Sequence, residues 1–166
     1  YVRLRKGQGY NWVNVIASFP NWMTDGDSWH LFMNDSAKTT IRSAWLEFGT
    51  GSAKNMDNEG GRHFFFPGKV PGYENQFPDM DRINPEYFKY LDRKIDYLNA
   101  NGIVPFIEAS RRDAGLCWYK YYEWPESYSR YIQYVFSRYQ ANNTVLSPVH
   151  LDIIDETVSP DDYINS

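Results

Sequence analysis

The chain has 166 residues, 42% hydrophobic and 23% charged, with a formal net charge of −4. That length suits one domain with a packed core, and the composition excludes wholesale disorder. The acidic balance excludes a non-specific nucleic-acid binder, which needs a basic face to displace counterions, and no apolar run reaches the roughly 18 to 20 residues of a membrane span.

Cys117 is the single cysteine, so neither an internal disulfide framework nor a multi-cysteine metal site is expected. Aromatic residues are abundant: 6 Trp, 14 Tyr and 10 Phe. Some must build the core. Others fall in segments that read as loops, where a ring can stack on a sugar face while its polar edge stays wet.

At the start of the chain, Tyr1 to Lys6 read as the last turns of a helix that closes near Gly7 or Gly9. Trp12-Val13-Asn14-Val15-Ile16-Ala17 follows as a strand. Residues 18–82 then form an excursion far longer than an ordinary connection. It holds Asn21-Trp22, Asp25-Gly26-Asp27, Trp29-His30 and His63-Phe64-Phe65-Phe66-Pro67-Gly68, which either build a small subdomain over the sheet or line a site.

From Asn84 the pattern is clear. Asn84-Pro85-Glu86 supplies an N-cap side chain, proline at the first helical position and an acid in the first turn. Phe88, Leu91, Ile95 and Leu98 recur at helical spacing, and Asn101-Gly102 is the stop. Ile103-Val104-Pro105-Phe106-Ile107 is a strand weakened by its proline. A second helix is predicted over residues 125–139, then a strand over residues 145–154 interrupted by Pro148. Ser159-Pro160-Asp161-Asp162 is a fresh helix start. Strands alternating with helices imply parallel pairing through right-handed crossovers, hence an α/β sheet or barrel. No glycine-rich phosphate loop follows any strand, which disfavours a nucleotide-binding doubly wound sheet. The helix signals at the two ends predict one domain over residues 1–166, truncated at both ends.

In such sheets ligands bind at the carboxyl ends of the strands. Three segments, residues 18–27, 108–119 and 150–156, are therefore the candidates, and all are rich in acids, Arg, His and Trp. Period-two alternation in Val149-His150-Leu151-Asp152-Ile153 puts His150 and Asp152 on one face, as a functional pair or a buried structural one. Asp155-Glu156 lies just beyond, as a second acidic candidate or a solvated loop pair. Glu108, Arg111, Arg112, Asp113 and Trp118 stand in the middle segment. There an arginine clamps an acidic sugar, or pairs with Glu108 or Asp113 while the other faces water. His30, His63 and His150 are too scattered for a metal site, and neither a metal nor a cofactor is expected.

Several strings resemble the apiosidase-like catalytic domain family of glycoside hydrolases. They are Asn14-Val15-Ile16-Ala17-Ser18-Phe19-Pro20, Ile83-Asn84-Pro85-Glu86-Tyr87-Phe88, Gly102-Ile103-Val104-Pro105-Phe106-Ile107-Glu108 and Trp124-Pro125-Glu126-Ser127. The helix from Arg130-Tyr131 to Arg138-Tyr139 and the strand Ser147-Pro148-Val149-His150-Leu151-Asp152 continue the likeness. The resemblance implies a partial TIM (β/α) barrel, roughly strands two to four with their helices. It implies a secreted enzyme, extracellular or periplasmic, acting on plant or algal polysaccharide side chains, with an oligo- or polysaccharide substrate and the remainder of its own barrel as partners.

The resemblance also implies an acid/base carboxylate at the end of strand four, where Asp152 is the best match. Many members carry Gly-Gly-Asp there, whereas this chain reads His150-Leu151-Asp152, so Glu156 is held in reserve. The nucleophile is expected from a later strand, outside this chain, and the chain alone is expected to be inactive. Asn21, Trp22, His63, Glu108, Arg111, Trp118 and His150 are the expected sugar-binding wall. Two other classes stay open: a non-catalytic carbohydrate-binding or structural protein on the same scaffold, and a polysaccharide lyase.

Overall fold

The structure, a computed structural model, describes residues 1–18, 65–66, 79–111, 118, 122–150 and 160–165. Helix α1 (Val2–Gly7) ends with Arg5 and Lys6 against its negative pole. Gly9, at φ +87°, turns the chain into strand β1 (Trp12–Ser18). Only a residue without Cβ enters that region cheaply.

Strands β2 (Phe65–Phe66) and β3 (Asp79–Ile83) form an antiparallel pair. Helix α2 (Pro85–Ala100) follows, with the Asn84 side chain accepting the Glu86 N–H at 3.1 Å. Gly102, at φ +70°, ends the turn that leads to β4 (Val104–Arg111). Helix α3 (Glu126–Tyr139), strand β5 (Val145–His150) and helix α4 (Pro160–Ile164) complete the described elements.

Strands β1, β4 and β5 form a parallel sheet in that order. The chain is thus mixed α/β, with a small three-stranded parallel sheet and packed helices, as a section of a (β/α) barrel would be. One register runs across it: Ile16 opposite Glu108, and Glu108 opposite Ser147. The expected strands at 12–17, 103–107 and 145–154 are all present in the described part. Residues 151–154 lie outside the described residues.

Both prolines fall where the ladder tolerates them. The Val104 N–H donates to the Asn11 carbonyl at 2.8 Å, on the β1 side. Alternation sends the Pro105 nitrogen the other way, where pairing with β5 begins only at Phe106. Pro148 lies on β5, an edge strand among the described residues.

Two boundaries differ from the sequence reading. Strand β4 continues to Arg111 rather than stopping at Ile107, because partners on both sides carry the ladder through the polar residues Glu108 and Ser110. The excursion also contains a strand that periodicity does not announce. Asp79-Met80-Asp81-Arg82-Ile83 has no strict alternation, and it is fixed by partners distant in sequence. Asp81 accepts from Ser127 Oγ at 2.6 Å and from the Arg130 guanidinium at 3.0 Å, both on α3.

The core lies between the sheet and helices α2 and α3. Ala17, Ile107 and Ala109 meet Tyr87, Phe88, Leu91 and Ile95 from α2, and Tyr131, Val135 and Tyr139 from α3. Full burial of side chains this large stabilises by roughly 1.5–3 kcal/mol each. Between the helices, Arg138 grips Asp92 with two hydrogen bonds of 2.7 and 2.6 Å.

Three tyrosines latch these helices to the strands. Tyr87 donates to the Ala17 carbonyl, Tyr131 to Ala109 at 2.6 Å, and Tyr128 to Pro148 at 2.8 Å. These acceptors occupy one level of β1, β4 and β5, close to the carboxyl ends. Small side chains at Ala17 and Ala109 let the rings approach the backbone.

Candidate active site

Parallel pairing brings Ser18, Arg111 and His150, the last residues of β1, β4 and β5, to one edge of the sheet. Among the described side chains, Glu108 is a charged group built into that edge. It sits in the central strand, three residues before its end, and is 6% exposed. A carboxylate so enclosed is costly without partners. His150 supplies one: its Nδ1 lies 2.8 Å from Glu108 Oε1. The other oxygen, Oε2, is buried with no hydrogen-bond partner among the described residues.

Around this pair, side-chain hydrogen bonds tie the edge together. Ser18 Oγ donates to the Ala109 carbonyl at 3.0 Å, tying the end of β1 to β4. Ser147 Oγ donates to the Val149 carbonyl at 2.9 Å, just before His150. The latching tyrosines hold the same level from the helix side. Burial pushes the Tyr128 and Tyr131 phenols far above their ordinary values, so both stay neutral donors at any physiological pH.

Of the expected site residues, Glu108 and His150 are brought together. The sequence reading placed them on the same wall but not in contact; it gave His150 a facing Asp152 and offered Glu108 an arginine. Arg111 ends β4 in register with His150, and its side chain lies outside what is described. Trp118 is fully buried, stacked on Tyr131 at 5.1 Å and edge-on to Tyr128 at 5.2 Å, which gives the indole a core role. Asn21, Trp22, His63, Asp152 and Glu156 lie outside the described residues.

Sequence reasoning predicted the helix over residues 125–139 and missed the latching hydroxyls of Tyr128 and Tyr131 on it. The available signal was tyrosine, rather than leucine or phenylalanine, at positions that helical spacing buries. Among the described residues no group of three or more His, Cys, Asp or Glu side chains is placed to hold a metal ion. No described helix is long and apolar enough to cross a membrane.

A strand-end edge with a buried, half-satisfied carboxylate hydrogen-bonded to an imidazole can accept and donate hydrogen bonds to hydroxyl-rich ligands. Comparison with known proteins agrees in class. No curated protein and no solved structure gives a significant match. A family model described as "Apiosidase-like, catalytic domain" matches residues 1–148, which include Glu108 and every described element up to Pro148. On that match over most of its length, the chain belongs to the apiosidase-like catalytic domain family.

Proposed function

We propose that the protein is a glycoside hydrolase that cleaves plant or algal polysaccharide side chains outside the cytoplasm, through two carboxylates in a completed (β/α) barrel. Asp152 is the general acid/base, two residues beyond the end of β5, and Glu156 is the alternative acid. The other carboxylate is contributed from a later strand of the barrel. Asn21, Trp22, His63, Glu108, Arg111 and His150 form the wall that holds the sugar.

Family membership supports the hydrolase class and a carbohydrate substrate. The observation that carries the residue-level reading is the contact of buried Glu108 with half-buried His150 at the carboxyl edge of the parallel sheet, the edge where barrels bind their ligands. In glycoside hydrolysis one carboxyl protonates the leaving oxygen while the other acts as nucleophile or base.

The experiment is reducing-sugar release from solubilised plant cell-wall polysaccharide by the full-length protein and its Asp152→Asn variant. Loss of a general acid lowers turnover by about a hundredfold to ten-thousandfold. Unchanged turnover in Asp152→Asn overturns the assignment of Asp152. An ultraviolet-absorbing unsaturated product overturns hydrolysis in favour of a lyase.

A further inference from the structure

At the amino-terminal end of the parallel sheet, a cleft of about 260 Å³ lies among α1, the start of β1 and the end of α2. The length of β1, about 20 Å, separates it from the carboxyl edge. Tyr1, Arg5, Tyr10 and Trp12 line the cleft, together with the buried apolar side chains of Leu98 and Ile103. Tyr10 and Trp12 are 54% and 55% exposed, and Phe106 props the Trp12 ring edge-on at 5.8 Å.

Two rings hold the Arg5 guanidinium in place. Its central carbon is 5.4 Å from the ring centre of Tyr1 and 5.6 Å from that of Tyr10, and Nη1 donates to Gln8 Oε1 at 3.1 Å. A guanidinium has five N–H donors, and among the described residues no carboxylate pairs with this one. Arg130 and Arg138, by contrast, each grip an aspartate. Arg3 and Lys6 add positive charge on the same helix, and residues 1–18 contain no acid at all, although the whole chain carries a net −4. The cleft is therefore locally cationic in an acidic protein.

An arginine fork oriented by rings matches a carboxylate in its plane, and exposed aromatic faces match the C–H face of a pyranose. The volume falls below the roughly 300–1,000 Å³ of sites for drug-sized ligands, a size for a single sugar unit of a longer chain.

We propose that this cleft is a second carbohydrate-binding site, separate from the candidate active site, which takes a uronic-acid unit of an acidic polysaccharide. The carboxylate lies on Arg5 and the sugar ring against Trp12 and Tyr10. Binding here tethers the polymer while another stretch of it reaches the carboxyl edge. The preference for a carboxylate stands on the charge and geometry of the cleft; the choice of a sugar as its carrier rests on the hydrolase reading above.

The test is calorimetric titration of the full-length protein with trigalacturonate, and with galactotriose as its uncharged counterpart. Trigalacturonate binds, and galactotriose binds about tenfold more weakly or worse. Arg5→Gln weakens trigalacturonate by about tenfold, Arg5→Lys by less because the charge survives without the fork, and Trp12→Ala by about threefold to tenfold. Arg3→Gln removes the same charge from the same helix outside the cleft and changes binding by less than about twofold. Urea midpoints of the arginine variants stay at the wild-type value, which separates lost binding from lost folding; should Trp12→Ala fail to fold, the arginine variants decide. Absence of trigalacturonate binding overturns the proposal, as does equal affinity for galactotriose. Binding untouched by Arg5→Gln places the sugar elsewhere, and equal losses in Arg3→Gln and Arg5→Gln reduce the effect to diffuse charge; either result overturns the cleft. Arg5-dependent binding by a protein that turns over no plant polysaccharide counts against the hydrolase reading and leaves the cleft standing.

Discussion

The hydroxyl of Tyr131 donates to the carbonyl of Ala109 at 2.6 Å, directly beside Glu108 on the central strand. A helix residue thereby fixes the backbone that carries the candidate site's carboxylate. Tyr131 is 1% exposed, and its ring stacks on Trp118 while its hydroxyl reaches the sheet. Packing and hydrogen bonding converge on one residue, and they separate by experiment. Tyr131→Phe keeps the ring and loses only the donor. The Ala109 carbonyl keeps Ser18 Oγ at 3.0 Å, so the expected cost is about 1 kcal/mol rather than the larger penalty of an orphaned group. Adding Ser18→Ala removes the second donor, and the double variant is expected to lose more than the two single losses combined. Urea midpoints of the four proteins check this non-additivity.

The same tyrosines set an alkaline limit on stability. Tyr128, Tyr131 and Tyr139 are all raised above the ordinary value of 10.0, burial being the first cause in each. For Tyr139 the charge of Asp92 adds to the rise. The unfolded chain releases these protons near the ordinary value while the folded chain retains them, so the unfolded state binds fewer protons and stability falls with rising pH. The stabilisation is complete below pH 10.0 and is lost progressively above it. Denaturant midpoints are expected to hold level up to that pH and then decline. Growth of the tyrosinate ultraviolet band is expected to accompany unfolding rather than precede it. Ionisation of all tyrosines in a protein that remains folded contradicts this account.

Arg138 and Asp92 join α3 to α2 through a two-pronged contact, with side chains 26% and 33% exposed. The Arg138 guanidinium also donates to the Tyr134 hydroxyl at 3.0 Å and lies 6.0 Å from the Phe88 ring centre. Lysine keeps the charge and loses the planar fork. Arg138→Lys is therefore expected to cost about 1 kcal/mol, at the upper end for a partly exposed pair. Asp92→Asn is expected to cost a similar amount. A double-mutant cycle on thermal midpoints checks whether the two losses share one interaction; independent losses contradict it.

Local signals made the helices and the parallel strands legible. Asn84-Pro85-Glu86 announced α2, and the structure shows the Asn84 cap in place. Apolar runs announced β1, β4 and β5. Strand β3 was hidden because its anchors, Ser127 and Arg130, lie 46 and 49 positions from Asp81, and no local pattern encodes such a partner. The candidate site was half legible for the same reason. Glu108 and His150 each stood out as polar residues near strand ends. Their contact depends on the register between β4 and β5, which is a property of the assembled sheet. Trp118 was expected in the sugar-binding wall because it follows the end of β4 in sequence, and in the structure two tyrosines of α3 pack against it.

A residue kept for function rather than for the fold is expected to cost stability, and Glu108 allows this to be measured. Its Oε2 is buried without a partner among the described residues, so the folded state carries part of the desolvation cost of a charge uncompensated. Glu108→Gln keeps the shape and one acceptor for His150 while removing that charge. Its thermal midpoint is expected to equal or exceed the wild type, with a gain of up to about 1 kcal/mol. Its turnover of solubilised plant polysaccharide is expected to fall in the same preparation. The opposite pattern, a clear loss of stability with turnover intact, would identify Glu108 as a structural residue whose second oxygen finds its donor within the protein. Thermal denaturation and reducing-sugar release measured side by side distinguish the two.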